Sequence, residues 1–270
     1  MIWSIDGLLE KIGIISNPVG YAFSGGGARG FSHIGVLKAL EQFGIRPNVM
    51  AGVSAGSVAA VMYGAGLTPD DMAKCFRDMS KISTMVTWKM PGNSLMKIDK
   101  FGKLIESWLP VRYLEQLEIP TIVCATDFQH CKSIGWGKGE IAPRVMASCA
   151  IPIAFEPVKI NGGIYVDGGV LRNLPAWAVR KYCKVLYGIN CSPLNPIWED
   201  PLKHNLLDIA LRTYHMMSKT NMVNDAKLCD VLINLRGAHE IGTFEISKFE
   251  RSVQLGYETA CRVLDKTITS

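Results

Sequence analysis

Among eight cysteines, at positions 75, 124, 131, 149, 183, 191, 229 and 261, not one C-x-x-C pair occurs. That absence excludes a zinc ribbon and a thioredoxin-like redox motif. A chain of 270 residues with 48% apolar content can bury a core without disulfide staples, so reduced thiols of a cytoplasmic protein are expected. Also missing are a Pro/Ser-rich linker, an internal repeat and a low-complexity tract, which argues for one domain rather than two. The positive excess is only +5 and is spread along the chain. It is too diffuse for a nucleic-acid partner, though favourable at an anionic lipid surface. The N-terminus carries Asp6 and Glu10 with no basic run ahead of its apolar residues, so it does not read as a signal peptide. Residues 49–67 lack any charge, yet hold four glycines and two serines. That is a poor composition for a membrane span and a good one for strand, tight turn and buried helix.

Apolar periodicity places the elements. Ile2, Ile5, Leu8, Leu9 and Ile12 fall at helical spacing, and residues 1–19 are read as an amphipathic segment that caps the core rather than lying on a membrane. A strand over 20–24 runs into Gly25-Gly26-Gly27-Ala28-Arg29-Gly30. The helix that follows carries Ile34, Leu37, Leu40 and Phe43 on one face and is stopped by Gly44. A strand at 48–51 feeds Gly52-Val53-Ser54-Ala55-Gly56, Thr68-Pro69 opens a further helix, and Asp99 is expected to cap the next. Residues 82–98 are irregular and rich in Met and Trp, and are expected to pack rather than to form a mobile lid. Strands are expected at 121–126, 157–160, 163–166, 184–191 and 231–235, and helices at 142–150, 204–229 and 247–265. Strands alternating with helices predict an α/β domain in three layers, with a mainly parallel central sheet covered on both faces.

Three glycine-rich turns each follow a strand: residues 25–30, 52–56 and 167–169. Sites in an open α/β sheet lie at the carboxyl ends of strands, so such turns can converge. The G-x-S-x-G pentapeptide fits a strand-to-helix elbow that lifts a serine hydroxyl clear of the sheet. The free N–H groups of the following helix then point at the same place. A glycine turn ahead of a helix offers further N–H donors to an anion. In that arrangement Ser54 is the nucleophile and Asp167 the carboxylate that takes its proton. Two rival readings of the first turn fail on what is missing. A dinucleotide fingerprint wants an acidic residue about twenty positions on, and none lies between Glu41 and Asp70. A phosphate loop wants Lys and Ser/Thr after its last glycine, where Phe31-Ser32 stand instead.

Together, Ser24-Gly25-Gly26-Gly27-Ala28-Arg29-Gly30 with His33-Ile34-Gly35-Val36-Leu37, Gly52-Val53-Ser54-Ala55-Gly56-Ser57 and Asp167-Gly168-Gly169 resemble the motifs of patatin-like phospholipases. These are serine lipid acyl hydrolases with a Ser–Asp dyad. The stretches Ala147-Ser148-Cys149-Ala150-Ile151-Pro152 and Asn173-Leu174-Pro175 are similar to the family as well, and the likeness covers most of residues 20–262. It implies a single patatin-type domain over 20–270, with Ser54 and Asp167 catalytic. It implies an oxyanion hole of backbone amides from Gly25, Gly26, Gly27 and Arg29, joined by Ala55. Gly30, Gly52, Gly56, Gly168 and Gly169 complete the motifs. No metal and no cofactor are implied. The implied partner is a lipid substrate, met by a cytoplasmic protein through peripheral contact with membranes. A non-catalytic lipid- or membrane-binding member, keeping the motifs as architecture, is the alternative. Cys149 stands where the family more often has serine, a difference that bears on packing.

Smaller expectations follow. The Arg29 side chain is expected in an ion pair that orders the glycine turn, His33 as a packed structural histidine, and Asp127 as the cap of a turn. His204, His215 and His239 all follow Asp167, so chain order permits a Ser–Asp–His triad. Only His239, after Gly237-Ala238, is expected in a loop able to carry a base, and the dyad is expected to work without any histidine.

Overall fold

The computed structural model describes residues 17–83, 98–193 and 206–268. The expectations for residues 1–16 and 84–97, and the position of His204, lie outside the described residues. β1 (Val19–Phe23) leads through a 3-10 turn at Gly27–Phe31 into α1 (Ser32–Gln42), and β2 (Val49–Val53) leads into α2 (Ala55–Gly64). α3 (Pro69–Ser83) and α4 (Asp99–Trp108) precede β3 (Thr121–Asp127), β4 (Lys132–Trp136) and α5 (Ile141–Cys149). The hairpin of β5 (Val158–Ile160) and β6 (Gly163–Asp167) is followed by α6 (Ala176–Val179), β7 (Val185–Asn190) and α7 (Leu206–Asn221). A single turn, α8 (Val223–Ala226), then β8 (Val231–Asn234) and α9 (Phe249–Ile268) close the chain.

Strands buried on both faces read as continuous apolar runs, and the side-chain alternation sorts them between two cores. Tyr21 and Phe23 of β1 face the larger core with Leu37 and Leu40 of α1, Met62 of α2, Val145 of α5 and Leu264 of α9. Ala22 points the other way, with Val53 and Cys124, to meet Leu174, Val179 and Met222. Each large side chain so buried stabilises the fold by about 1.5–3 kcal/mol. The result is the expected three-layer α/β domain.

β3, β2, β1, β7 and β8 run parallel in that order. The far side of the sheet is antiparallel, and there the structure adds what the sequence reading lacked. β4 covers one edge of β3 from Val123 to Asp127. Only the other edge is left for two strands, and they share it end to end. β2 rises along residues 121–124, with Val53 opposite Cys124. β6 descends along residues 125–127, with Asp167 opposite Ala125. The carboxyl ends of β2 and β6 therefore meet at neighbouring positions of one strand. Register in the β5–β6 hairpin is set by a two-residue turn, Asn161 (φ 48) and Gly162 (φ 84), between the paired Ile160 and Gly163. Two left-handed residues of type Asn-Gly are the signature of a type I′ hairpin turn.

Two sequence expectations change in detail. The helix expected over 204–229 is broken at Met222, which drops into the smaller core, into α7 and α8. Asp225 is then drawn inward to pair with Arg172. Asp99 is the first residue of α4 and makes no side-chain cap, the N-cap being Ile98. An acid there still complements the helix dipole. Thr68 does cap α3, its Oγ1 accepting from Asp71 N at 3.1 Å. Among the described residues, no helix is long and apolar enough to cross a membrane.

Candidate active site

Ser54 sits at the top of β2 with φ 52 and ψ −127, a left-handed backbone that a serine does not adopt freely. Such strain costs about 1–3 kcal/mol and persists only where neighbours hold it. Three groups do so here. Ser54 N donates to Ser148 Oγ at 2.8 Å, and that hydroxyl donates to Cys124 O at 2.6 Å, tying the elbow to β3 through α5. Ser57 Oγ donates back to Ser54 O at 2.7 Å. The two motif glycines make the bend physically possible. A Cβ on Gly52 would lie 2.5 Å from Ser57 Cα, and one on Gly56 would lie 2.6 Å from Ser24 O.

Asp167 ends β6 fully buried, its N–H donating to Ala150 O at 2.9 Å. One carboxylate oxygen, Oδ1, accepts from Gly169 N at 2.7 Å. The other, Oδ2, has no hydrogen-bond partner among the described residues. Burial pushes the carboxyl up from 3.8 to about 6, because an ionised group loses its water there. The facing Ser54 hydroxyl, the Gly169 N–H and the Tyr214 hydroxyl hold the rise back.

The glycine turn approaches from the end of β1. Gly25 N donates to Asn173 O at 3.2 Å, Ala28 N to Thr243 O at 2.8 Å, and Arg29 N to Gly26 O at 3.3 Å. Gly25 and Arg29 were expected to offer their N–H groups to an oxyanion, and both are instead committed, Gly25 to Asn173 and Arg29 within the turn. The N–H groups of Gly26 and Gly27, and that of Ala55 at the start of α2, have no acceptor among the described residues. Gly27 holds φ 59, and a Cβ on it would collide with Thr243. His33 is the expected structural histidine, fully buried, its Nε2 donating to Ser24 O at 2.9 Å. Burial lowers it to about 4, so it is neutral.

Gly25, Gly26, Gly27, Ser54, Asn173, Tyr214, His215 and Ser218 line one small hollow. Thus the structure gathers the serine and the glycine turn around one space, with the Asp167 carboxylate facing the serine from behind. Among the described residues, Arg29 makes no ion pair. Its buried guanidinium meets Thr243 Oγ1 at 3.1 Å and His215 Nε2 at 3.4 Å instead of a carboxylate. His239 is exposed, with Nδ1 on Arg236 O at 2.6 Å. The histidine at the hollow is His215, which burial and the charges of Arg29 and Arg212 lower to about 3. Asp127 caps its turn as expected, accepting from Gln129 N and His130 N at 3.1 Å. Sequence reasoning missed Tyr214, Ser218 and Asn221. Their spacing of four and then three residues, polar groups on one stripe of a helix, was the available signal. Among the described residues, no group of three or more His, Cys, Asp or Glu is placed to hold a metal ion.

Comparison with known proteins bears on this geometry. An uncharacterised NTE family protein of Mycobacterium bovis is 31% identical over 169 residues, 62% of this chain and 47% of that protein. Lysophospholipase NTE1 of Kluyveromyces lactis is 25% identical over 271 aligned positions, covering 88% of this chain and 18% of its own length. The chain thus spans less than half the length of these relatives. VipD from Legionella pneumophila shares the fold, with a TM-score of 0.53 at 16% identity over 93% of this chain and 67% of its own. The family model for patatin-like phospholipase matches residues 21–180, from the first strand past the turn that carries Asp167. On that match, which spans more than half of its length, the chain belongs to the patatin-like phospholipase family.

Proposed function

We propose that the protein hydrolyses carboxylic ester bonds in phospholipids or related acyl lipids through an acyl-enzyme on Ser54, with Asp167 as general base. One observation carries the reading: β2 and β6 share a single edge of β3, so a strained serine and a buried carboxylate meet at the ends of their strands. Asp167 takes the hydroxyl proton as Ser54 Oγ attacks the ester carbonyl. The tetrahedral oxyanion is met by the uncommitted N–H groups of Gly26, Gly27 and Ala55. This narrows the hole expected from the motif, since the N–H groups of Gly25 and Arg29 are taken by Asn173 O and Gly26 O. The proton then passes to the departing alcohol. Water enters, loses a proton to Asp167 and attacks the acyl-serine, and the fatty acid departs as that proton returns to Ser54 Oγ. An exposed carboxylate, with a pKa near 4, is a weak base toward serine. Raising it to about 6 improves the match while leaving it ionised at neutral pH.

The lysophospholipase name of the yeast relative places lysolipids among the substrates to be tried. Contact with the membrane is peripheral on this reading, and α7, whose Tyr214, His215 and Ser218 line the hollow, exposes Leu206, Ile209, Met216 and Met217. Labelling by a fluorophosphonate serine probe, with release of fatty acid from vesicles, tests the function. Both are expected in the native chain and neither in Ser54→Ala. A folded native chain that takes up no probe would leave the motifs as the architecture of a lipid-binding protein.

A further inference from the structure

The Asp167 carboxylate is held at one oxygen and open at the other. Oδ1 accepts from Gly169 N, while Oδ2 is buried with no partner among the described residues. With one anchor, the tilt of the carboxylate about its last bond is left to whatever packs against it.

What lies over it comes from α7. The Tyr214 hydroxyl occupies the space a side chain on Gly169 would fill: a Cβ there would collide with Tyr214 Oη and lie 3.1 Å from Asp167 Oδ1. Tyr214 also lines the hollow with Ser54. Its phenol is raised well above 10, by burial first and then by the charge of Asp167, so it stays protonated and can only donate toward the carboxylate. The helix that delivers it is fastened to the same turn at two further points. Ser218 Oγ donates to Gly169 O at 2.8 Å. Asn221 Nδ2 donates to Gly169 O at 2.9 Å and Val170 O at 3.1 Å, while Asn221 Oδ1 accepts from Asn173 N at 3.1 Å. Residues 214, 218 and 221 share one helical stripe, so α7 grips the turn along its length.

We propose that Tyr214 is a positioning residue for the base: its phenol, packed beside the Asp167 carboxylate, donates to it and fixes it toward Ser54. The proposal rests on Asp167 being the base. A donor to the ionised form also keeps that form populated at lower pH. The other groups facing Asp167 are the Ser54 hydroxyl from the elbow and the Cys149 thiol from α5. Burial raises that thiol, which keeps it neutral. β3 brings only Thr126 Oγ1, which donates to Asp167 O at 3.1 Å. Arg29, from the glycine turn, faces Tyr214 and His215.

The test is the pH profile of kcat/KM on a soluble short-chain ester. In Tyr214→Phe the acid limb should move up by about one pH unit, and kcat should fall about tenfold with KM little changed. A role in packing alone would leave the limb in place. Should the Phe variant not fold, 3-fluorotyrosine at position 214 keeps the shape and strengthens the donor, and the limb should then move to lower pH. A limb that stays put in either variant, while Asp167→Asn is inactive, overturns the proposal and leaves the base standing. Retained turnover in Asp167→Asn would instead overturn the base itself, and this proposal with it.

Discussion

Replacing Asp167 by Asn separates the burden the carboxylate places on the fold from its part in the reaction. Its pKa in the folded chain stands at about 6, above the ordinary 3.8, because burial penalises the ionised form. A group raised on folding contributes stability that is fully present below the unfolded pKa and lost as pH rises through the folded one. For Asp167 that window runs from about pH 4 to about pH 6. At 1.36 kcal/mol per pKa unit, the native chain gives up about 3 kcal/mol across it. Asn is neutral at every pH, matches the shape, and still accepts from Gly169 N. Asp167→Asn should therefore melt with the native chain near pH 4 and above it near pH 8, by about 6–10 °C for a domain of this size. Turnover should vanish at every pH, since an amide cannot accept the serine proton. Circular-dichroism melting across the pH range, with Ser54→Ala as the control that keeps the carboxylate, measures both sides. A melting difference that is the same at both ends, or an Asn variant less stable near pH 8, would mean the carboxylate is not desolvated. The physical basis for its action as a base would then be gone.

Ser148→Ala strands the Ser54 N–H in a buried site, which should cost about 1–3 kcal/mol and lower kcat on a soluble ester; unchanged melting and kcat would show that the elbow stands without this brace. In Gly26→Ala the new Cβ would lie 2.6 Å from Cys191 Sγ, displacing an oxyanion donor and lowering kcat by about two orders of magnitude. Cys191→Ala in the same chain should give the methyl room and restore turnover, and its failure to do so would count against the mechanism by displacement. His215→Gln and His239→Gln should each keep kcat/KM within about tenfold, ~1.4 kcal/mol in the barrier. A thousandfold loss in either, with folding retained, would replace the dyad by a triad.

The elbow and the glycine turn were legible in the sequence because each is a local demand. Gly52 and Gly56 are required by atoms a few residues away in the chain or at the end of the neighbouring strand, and their spacing announces it. Asp167 was legible only by its place after two earlier motifs. What the residues could not reveal was the sharing of one β3 edge, since that follows from β4 taking the other. Lys132–Trp136 carries little apolar signal for a strand. The Arg29 side chain went wrong for a related reason. Its partners lie 186 and 214 residues further along the chain, and nothing near it in sequence says that they will be a histidine and a threonine. Tyr214, Ser218 and Asn221 were overlooked because the segment was read for its apolar face, while its polar stripe points at the site.

The Asn161-Gly162 tip of the β5–β6 hairpin stands about 17 Å of strand away from Asp167, at ~3.4 Å per residue. It fixes β5 against β6, while the pairing of β6 with β3 fixes which way Asp167 faces. Strand pairing alternates faces with every residue, so a slip of one position would turn the carboxylate to the opposite side of the sheet. The strand would still pair, the hairpin would still close, and Ser54 would face the flank of a neighbouring residue in place of Asp167. The register of β6 on residues 125–127 thus decides, by counting, which side chain Ser54 meets.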